Sequence, residues 1–152
     1  TNKEKITIKS QQMHLNFKKK ELIINKDALI ASDTGEIRAN QTKIDLDASK
    51  MDLIGNVLLK KDHFLLKSNQ AIVLEKNKEF KAFGDVEFNY LTYQSNANRA
   101  TFIYDTMDVE FYDDVIFKDK TDYLKGDMII FNIKSETIQT IGNAKLKMSK
   151  RK

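Results

Sequence analysis

Met51-Asp52-Leu53-Ile54-Gly55-Asn56-Val57-Leu58-Leu59-Lys60 alternates apolar and polar side chains around a Gly-Asn pair. Met51, Leu53, Val57 and Leu59 share one face, and Asp52, Asn56 and Lys60 share the other. A period of two with one apolar face marks a β-strand. Outward from this stretch the Gly-Asn-Val triplet returns every 29 residues, as Gly84-Asp85-Val86, Asp113-Asp114-Val115 and Gly142-Asn143-Ala144, and Lys26-Asp27-Ala28 stands one step before it. A second marker keeps the same step: Ser10-Gln11, Ala39-Asn40, Ser68-Asn69, Ala97-Asn98 and Gly126-Asp127. Two markers in register through five copies define a repeat. A unit this short cannot bury its own apolar face, so successive units stack and share one core.

Each unit holds a second alternating stretch. In 36–47 the apolar positions are Ile37 and Ala39, then Ile44 and Leu46. The phase slips between them, which predicts a bulge or bend near Gln41 to Lys43. Clusters of Lys with Asp or Asn separate the stretches as turns do. No segment sustains a helical period. The expected architecture is therefore all-β, a two-sheet stack of five 29-residue two-strand repeats, with each repeat giving one strand to each sheet.

Reading down the repeats names the interior. One column is Leu15, Ile44, Val73, Phe102 and Phe131; another is Leu22, Met51, Phe80, Val109 and Ile138; a third is Ile30, Leu59, Phe88, Phe117 and Leu146. The column Ala28, Val57, Val86, Val115 and Ala144 is aliphatic throughout. The column Lys9, Arg38, Lys67, Asn96 and Lys125 is polar throughout and must face water. Whether the apolar columns close into a filled core or line an open groove is left undecided by the sequence.

Composition narrows the function classes. At 152 residues the chain fits one domain, 1–152, that needs no cross-link to be stable. Cysteine is absent, which excludes disulfides, thiolate metal sites and thiol nucleophiles. The longest apolar runs, such as 128–131, are far too short to span a membrane, and no signal peptide or anchor is visible in this sequence. The 26 basic and 22 acidic residues leave a net charge of +4, interleaved along the chain except in the basic tail, 145–152. Arginine occurs three times (Arg38, Arg99, Arg151), which argues against nucleic-acid recognition.

Nothing assembles into catalytic, cofactor or metal chemistry. His14 and His63 have no counterparts in the other repeats and fall where turns or outward positions are expected. The acidic pairs Asp113-Asp114 and Asp85-Glu87 sit on positions that turn the chain, and the scattered carboxylates do not converge as a calcium site requires. The glycine triplets are not phosphate loops, because no helix follows them.

Units of Gly-Asn/Asp-Val alternating with small-residue-Asn/Asp markers resemble the OstA-like lipopolysaccharide transport family, which includes LptA, LptC and the N-terminal domain of LptD. The resemblance is carried by 52–60, by Tyr123-Leu124-Lys125-Gly126-Asp127-Met128-Ile129-Ile130-Phe131, and by Ile141-Gly142-Asn143-Ala144-Lys145-Leu146, and it spans roughly Ile6 to Met148. It departs where Lys26 and Asp113 replace the glycine and where Ser95-Asn96-Ala97-Asn98 forms a looser marker.

The resemblance implies a β-jellyroll, a V-shaped pair of antiparallel sheets with an apolar groove, docking edge to edge with other copies or with LptC-like and LptD-like domains. It implies a non-enzymatic periplasmic carrier of lipopolysaccharide, LptA-like or else an LptC-type inner-membrane-anchored member of the same pathway, without cofactor or nucleic acid. The lipid A acyl chains would then lie against Leu15, Ile44, Met51, Val57, Leu59, Val73, Phe80, Val86, Phe88, Phe102, Val109, Phe111, Val115, Phe117 and Phe131. Other classes remain in play: a filament-forming β-solenoid with a filled core, and a carbohydrate-active β-helix enzyme. The absence of proline and of a capping helix at either end favours edge-strand addition, with Lys3, Lys5 and the basic tail as the devices that would blunt it.

Overall fold

The computed structural model describes residues 5–32 and 35–149. Among these described residues, thirteen antiparallel strands form one continuous sheet. Six are short: β1 (Thr7–Lys9), β2 (Met13–Asn16), β3 (Glu21–Ile24), β4 (Ala28–Ser32), β5 (Gly35–Ala39) and β6 (Gln41–Asp45). Seven are long: β7 (Lys50–Lys61), β8 (Phe64–Leu74), β9 (Glu79–Tyr90), β10 (Tyr93–Ile103), β11 (Asp108–Asp119), β12 (Asp122–Asn132) and β13 (Thr137–Lys147). From β7 onward each strand pairs with the next, while the short strands split into two branches, β1-β4-β5 and β2-β3-β6, that both end on β7.

The long strands correct one expectation. Each spans both halves of the sheet instead of contributing to one. The register slips in mid-strand between Ile54 and Val57, between Lys67 and Gln70, between Asn96 and Arg99, and between Tyr112 and Val115. The slip coincides with left-handed backbone at Gly55 (φ 83°) and Asn56 (φ 48°), an extra residue that bends the strand without ending it. Gly55 has a further reason to lack a side chain, since a Cβ there would lie 2.7 Å from Asn40 Nδ2. Asp113 takes the same left-handed backbone without being glycine (φ 66°), and Arg99 Nε donates to its Oδ2 at 2.7 Å. At Lys26 and Asp27 the chain leaves the sheet, and β3 and β4 are separate strands. In the 36–47 stretch the break falls on Asn40, one residue ahead of the expected window, and Leu46 lies in a turn and is exposed.

Bending at the bulges folds the sheet over itself into two facing layers. One layer holds β2, β3, β6 and residues 50–54, 70–74, 79–83, 99–103, 108–112, 128–132 and 137–141 of the long strands. The other holds β1, β4, β5 and the remaining halves. Ring contacts join them across the interior: Phe64 meets Phe102 at 4.9 Å between centroids, Phe88 meets Phe111 at 5.4 Å, and Phe117 meets Phe131 at 5.1 Å. The polar column Lys9, Arg38, Lys67, Asn96 and Lys125 faces solvent along its whole length.

Candidate functional site

Strand register turns the sequence columns into rows that cross the whole molecule. On the first layer the columns headed by Leu15 and Leu22 interleave, so that Leu15, Leu22, Ile44, Met51, Val73, Phe80, Phe102, Val109, Phe131 and Ile138 stand side by side on ten adjacent strand segments. On the second layer Ile8, Ile30, Ile37, Leu59, Leu66, Phe88, Ser95, Phe117, Leu124 and Leu146 do the same. Inward positions of neighbouring strands lie close enough to make a continuous surface. The two layers thus present apolar walls that run from the first strands to the last.

Burial along the walls is uneven. Ile44, Met51, Val57, Leu59, Val73, Phe80, Val86, Phe88, Phe102, Val109, Phe111, Val115, Phe117 and Phe131 are buried. Leu15, assigned to the interior by its column, is 42% exposed, and Ile138 (40%), Leu146 (60%) and Ala144 at the other end are exposed too. The reason is the same at both ends. Among the described residues β2 pairs only with β3, and β13 only with β12, so the outermost segments lack a described neighbour to cover the inward face.

The middle of the interior is closed by aromatic rings. Phe131 touches Phe88, Tyr90, Tyr93 and Phe117, with centroid separations of 5.0–6.2 Å. Tyr90 and Tyr93 stack at 6.3 Å near the turn that joins β9 and β10. Burial first, and then the Glu136 and Asp119 carboxylates, push the Tyr93 hydroxyl above the ordinary tyrosine range. Glu136 belongs to the turn between β12 and β13 on the other layer, so this contact crosses the mouth between the layers.

Toward the first strands the mouth is open. A cavity of about 580 Å³ lies between the turns of the two layers, floored by Ile30, Ile37, Met51, Val73 and Met107. Its rim carries Lys61, Lys78 and Lys134 with Asp62, Glu75 and Asp105, and Lys78 Nζ bridges to Asp105 at 3.2 Å. The rim is therefore charged but balanced. Tyr104 also lines the cavity, and its ring packs on Phe102 at 4.8 Å, so the open part runs directly into the ring network.

The sequence reading missed Phe64, Tyr90 and Tyr93. Phe64 and Tyr93 share a repeat position with Gly35 and Asp122, so no apolar column announced them. His14 lies exposed on β2, His63 lies exposed in the turn after β7, and Asp113 is engaged by Arg99. Among the described residues no three His, Asp or Glu side chains are grouped to hold a metal ion, and no helix is long and apolar enough to cross a membrane. Lys3, Lys150, Arg151 and Lys152 lie outside the described residues.

Residues 36–137 match the family model described as LptA/(LptD N-terminal domain) lipopolysaccharide transport protein. The fold matches the crystal structure of LptH from Pseudomonas aeruginosa, the LptA-homologous periplasmic component of the lipopolysaccharide transport device, with a TM-score of 0.61 over 96% of each chain at 7% identity. No curated protein matches this chain.

Proposed function

The chain belongs to the LptA/LptD N-terminal-domain family of lipopolysaccharide transport proteins, and from that premise we propose that it carries lipopolysaccharide across the periplasm as a non-catalytic bridge segment. The observation that carries the reading is the pair of apolar rows, continuous across the strands, open at both ends and widened into the cavity beside Met51. Acyl chains cross water only when covered, at about 25 cal/mol per Å² of apolar surface. A wall of similar side chains at every step holds the lipid without trapping it at one place. The lining is aliphatic and aromatic, and its methionines, Met51 and Met107, adapt to chains of different shape.

The ends support the bridge. Among the described residues β13 has a free edge and shows Ile138, Ile141 and Leu146 to solvent, while Met13, Leu15 and Phe17 are exposed at the opposite end. Adding a neighbouring domain by strand pairing at either end would cover these residues and extend both apolar rows. Such contacts do not close, so copies or related domains would assemble head to tail.

The direct test places a photo-crosslinking side chain at Met51, with Lys67 on the outer face as control. Lipopolysaccharide is expected to form an adduct at 51 and none at 67. A folded protein that gives no adduct at 51 would instead have a purely structural interior, as in a filament-forming solenoid.

A further inference from the structure

The outer side of the second layer carries charge of mostly one sign. One of its rows holds Lys9, Arg38, Lys67, Lys125 and Lys145, and the next row adds Lys60, Lys118 and Lys147. Glu36 and Glu87 are the acids in those rows among the described residues, and each stands directly opposite a lysine, Lys60 and Lys67. Toward β11–β13 no acid intervenes in the rows, and Lys118, Lys125, Lys145 and Lys147 are all exposed. The outer side of the first layer is different. There Lys43, Lys50 and Lys81 pair with Glu21, Asp52 and Glu79 at 3.7 Å. Among the described residues no basic group of the second-layer rows has an ion-pair partner.

The arrangement over β11–β13 works against the fold. Lys125 stands directly opposite Lys145, and like charges facing each other across a strand pair are destabilising. Tyr123 offsets part of this. Lys125 Nζ lies 5.6 Å and Lys147 Nζ 5.9 Å from its ring centroid, where the ring face attracts an ammonium. Acids stand at the ends of these strand segments, Asp114 and Asp127 at the bend and Asp119 and Asp122 at the turn. Asp119 accepts from Thr92 Oγ1, Asp122 from the Ser149 N–H and Asp127 from the Asn143 N–H, so these three are engaged with other donors.

We propose that the outer face of β11–β13 docks on an anionic bilayer, with Lys118, Lys125, Lys145 and Lys147 over the head groups and Tyr123 between them. The positive charge is spread over neighbouring strands instead of converging on one point, which fits a plane of head groups better than a single bound anion. Arginine, whose fork grips individual phosphates, is absent from this part of the face. Lysines near an anionic membrane surface attract it by charge alone, and tyrosine favours the boundary between membrane and water. The paired charges of the first layer leave the protein one side drawn to such a surface and one that is not. The inference is independent of the lipid-carrying reading, because it uses the side of the sheet that faces away from the interior.

The test sediments the full chain with phosphatidylcholine vesicles, made with or without phosphatidylglycerol and free of lipopolysaccharide, at low salt. The wild-type protein is expected to bind the phosphatidylglycerol vesicles and to be released by added salt. Each lysine near such a surface strengthens binding about fivefold, so the double variant Lys125→Gln with Lys145→Gln is expected to bind at least about tenfold more weakly. Both side chains are exposed and repel each other, so the variant folds, which a thermal melt checks. The control Lys43→Gln with Lys81→Gln removes the same charge from the first layer and is expected to bind as the wild type does. No preference of the wild type for phosphatidylglycerol overturns the inference and leaves the face to an acidic protein. Equal loss in both double variants overturns it too, since net charge alone would then act. Unchanged binding by the Lys125→Gln, Lys145→Gln variant also overturns it, by putting the attraction elsewhere, as in the basic tail.

Discussion

The middle and the ends of this molecule are built from the same columns of residues, yet they behave differently. Phe131 and Leu15 occupy one repeat position, and Phe131 is fully buried while Leu15 is 42% exposed. The middle strands have neighbours on both sides and a facing layer whose rings fill the space. The outermost strands have neither. Burial here is decided by what stands next to a strand more than by the residue it carries.

The largest expected effect breaks the middle. Phe131→Ala removes a ring that touches four others and should destabilise the fold by about 4 kcal/mol. Leu15→Ala, at the same repeat position, should cost less than about 1 kcal/mol, because little apolar surface is lost from contact. Urea denaturation of both variants checks the contrast, and similar losses would mean that the ends are as well packed as the centre.

Next in size is the bend. Gly55→Ala places a side chain on left-handed backbone against Asn40 and should cost about 2 kcal/mol. The equivalent change at Gly126, whose neighbours start at 3.4 Å and whose φ is not in that region, should cost clearly less in the same urea experiment. A smaller effect of opposite sign belongs to the walls. Ser95→Ala removes an unpaired buried hydroxyl and should raise stability by about 1 kcal/mol, seen as a higher thermal midpoint.

The smallest effect is on the outer surface at alkaline pH. Tyr112 donates to Glu110 at 2.9 Å, and burial first, then that bond, pushes its pKa up to about 12 from an ordinary value of 10.0. Because the folded value is the higher, the contribution of Tyr112 is whole below pH 10 and is lost as pH rises toward 12. Tyr112→Phe should flatten the fall in stability across that window, measured by urea midpoints at several pH values. An unchanged slope would show that the tyrosine does not control it.

The sequence carried the all-β character and most of the buried middle, because apolar alternation and a fixed step are written in consecutive residues such as Met51 to Lys60. It carried less about the ends, since Leu15 and Leu146 have the right residue type and only the missing neighbours expose them. The bend at Gly55 and Asn56 was visible as a motif but not as a fold-over, because left-handed backbone is a property of the strand pair. Phe64 and Tyr93 escaped because their repeat position is not uniformly apolar. Ser95 could have been noticed as a single hydroxyl in an otherwise apolar column.

A spin-label scan along the first-layer row asks directly whether lipid lies against it. Nitroxides at Leu15, Met51 and Ile138 would be compared with one at the outward Lys67, before and after adding lipopolysaccharide. Label mobility is expected to fall at the inward positions and to stay unchanged at Lys67. Binding of the lipid with mobility changed at Lys67 and unchanged along the row would contradict it.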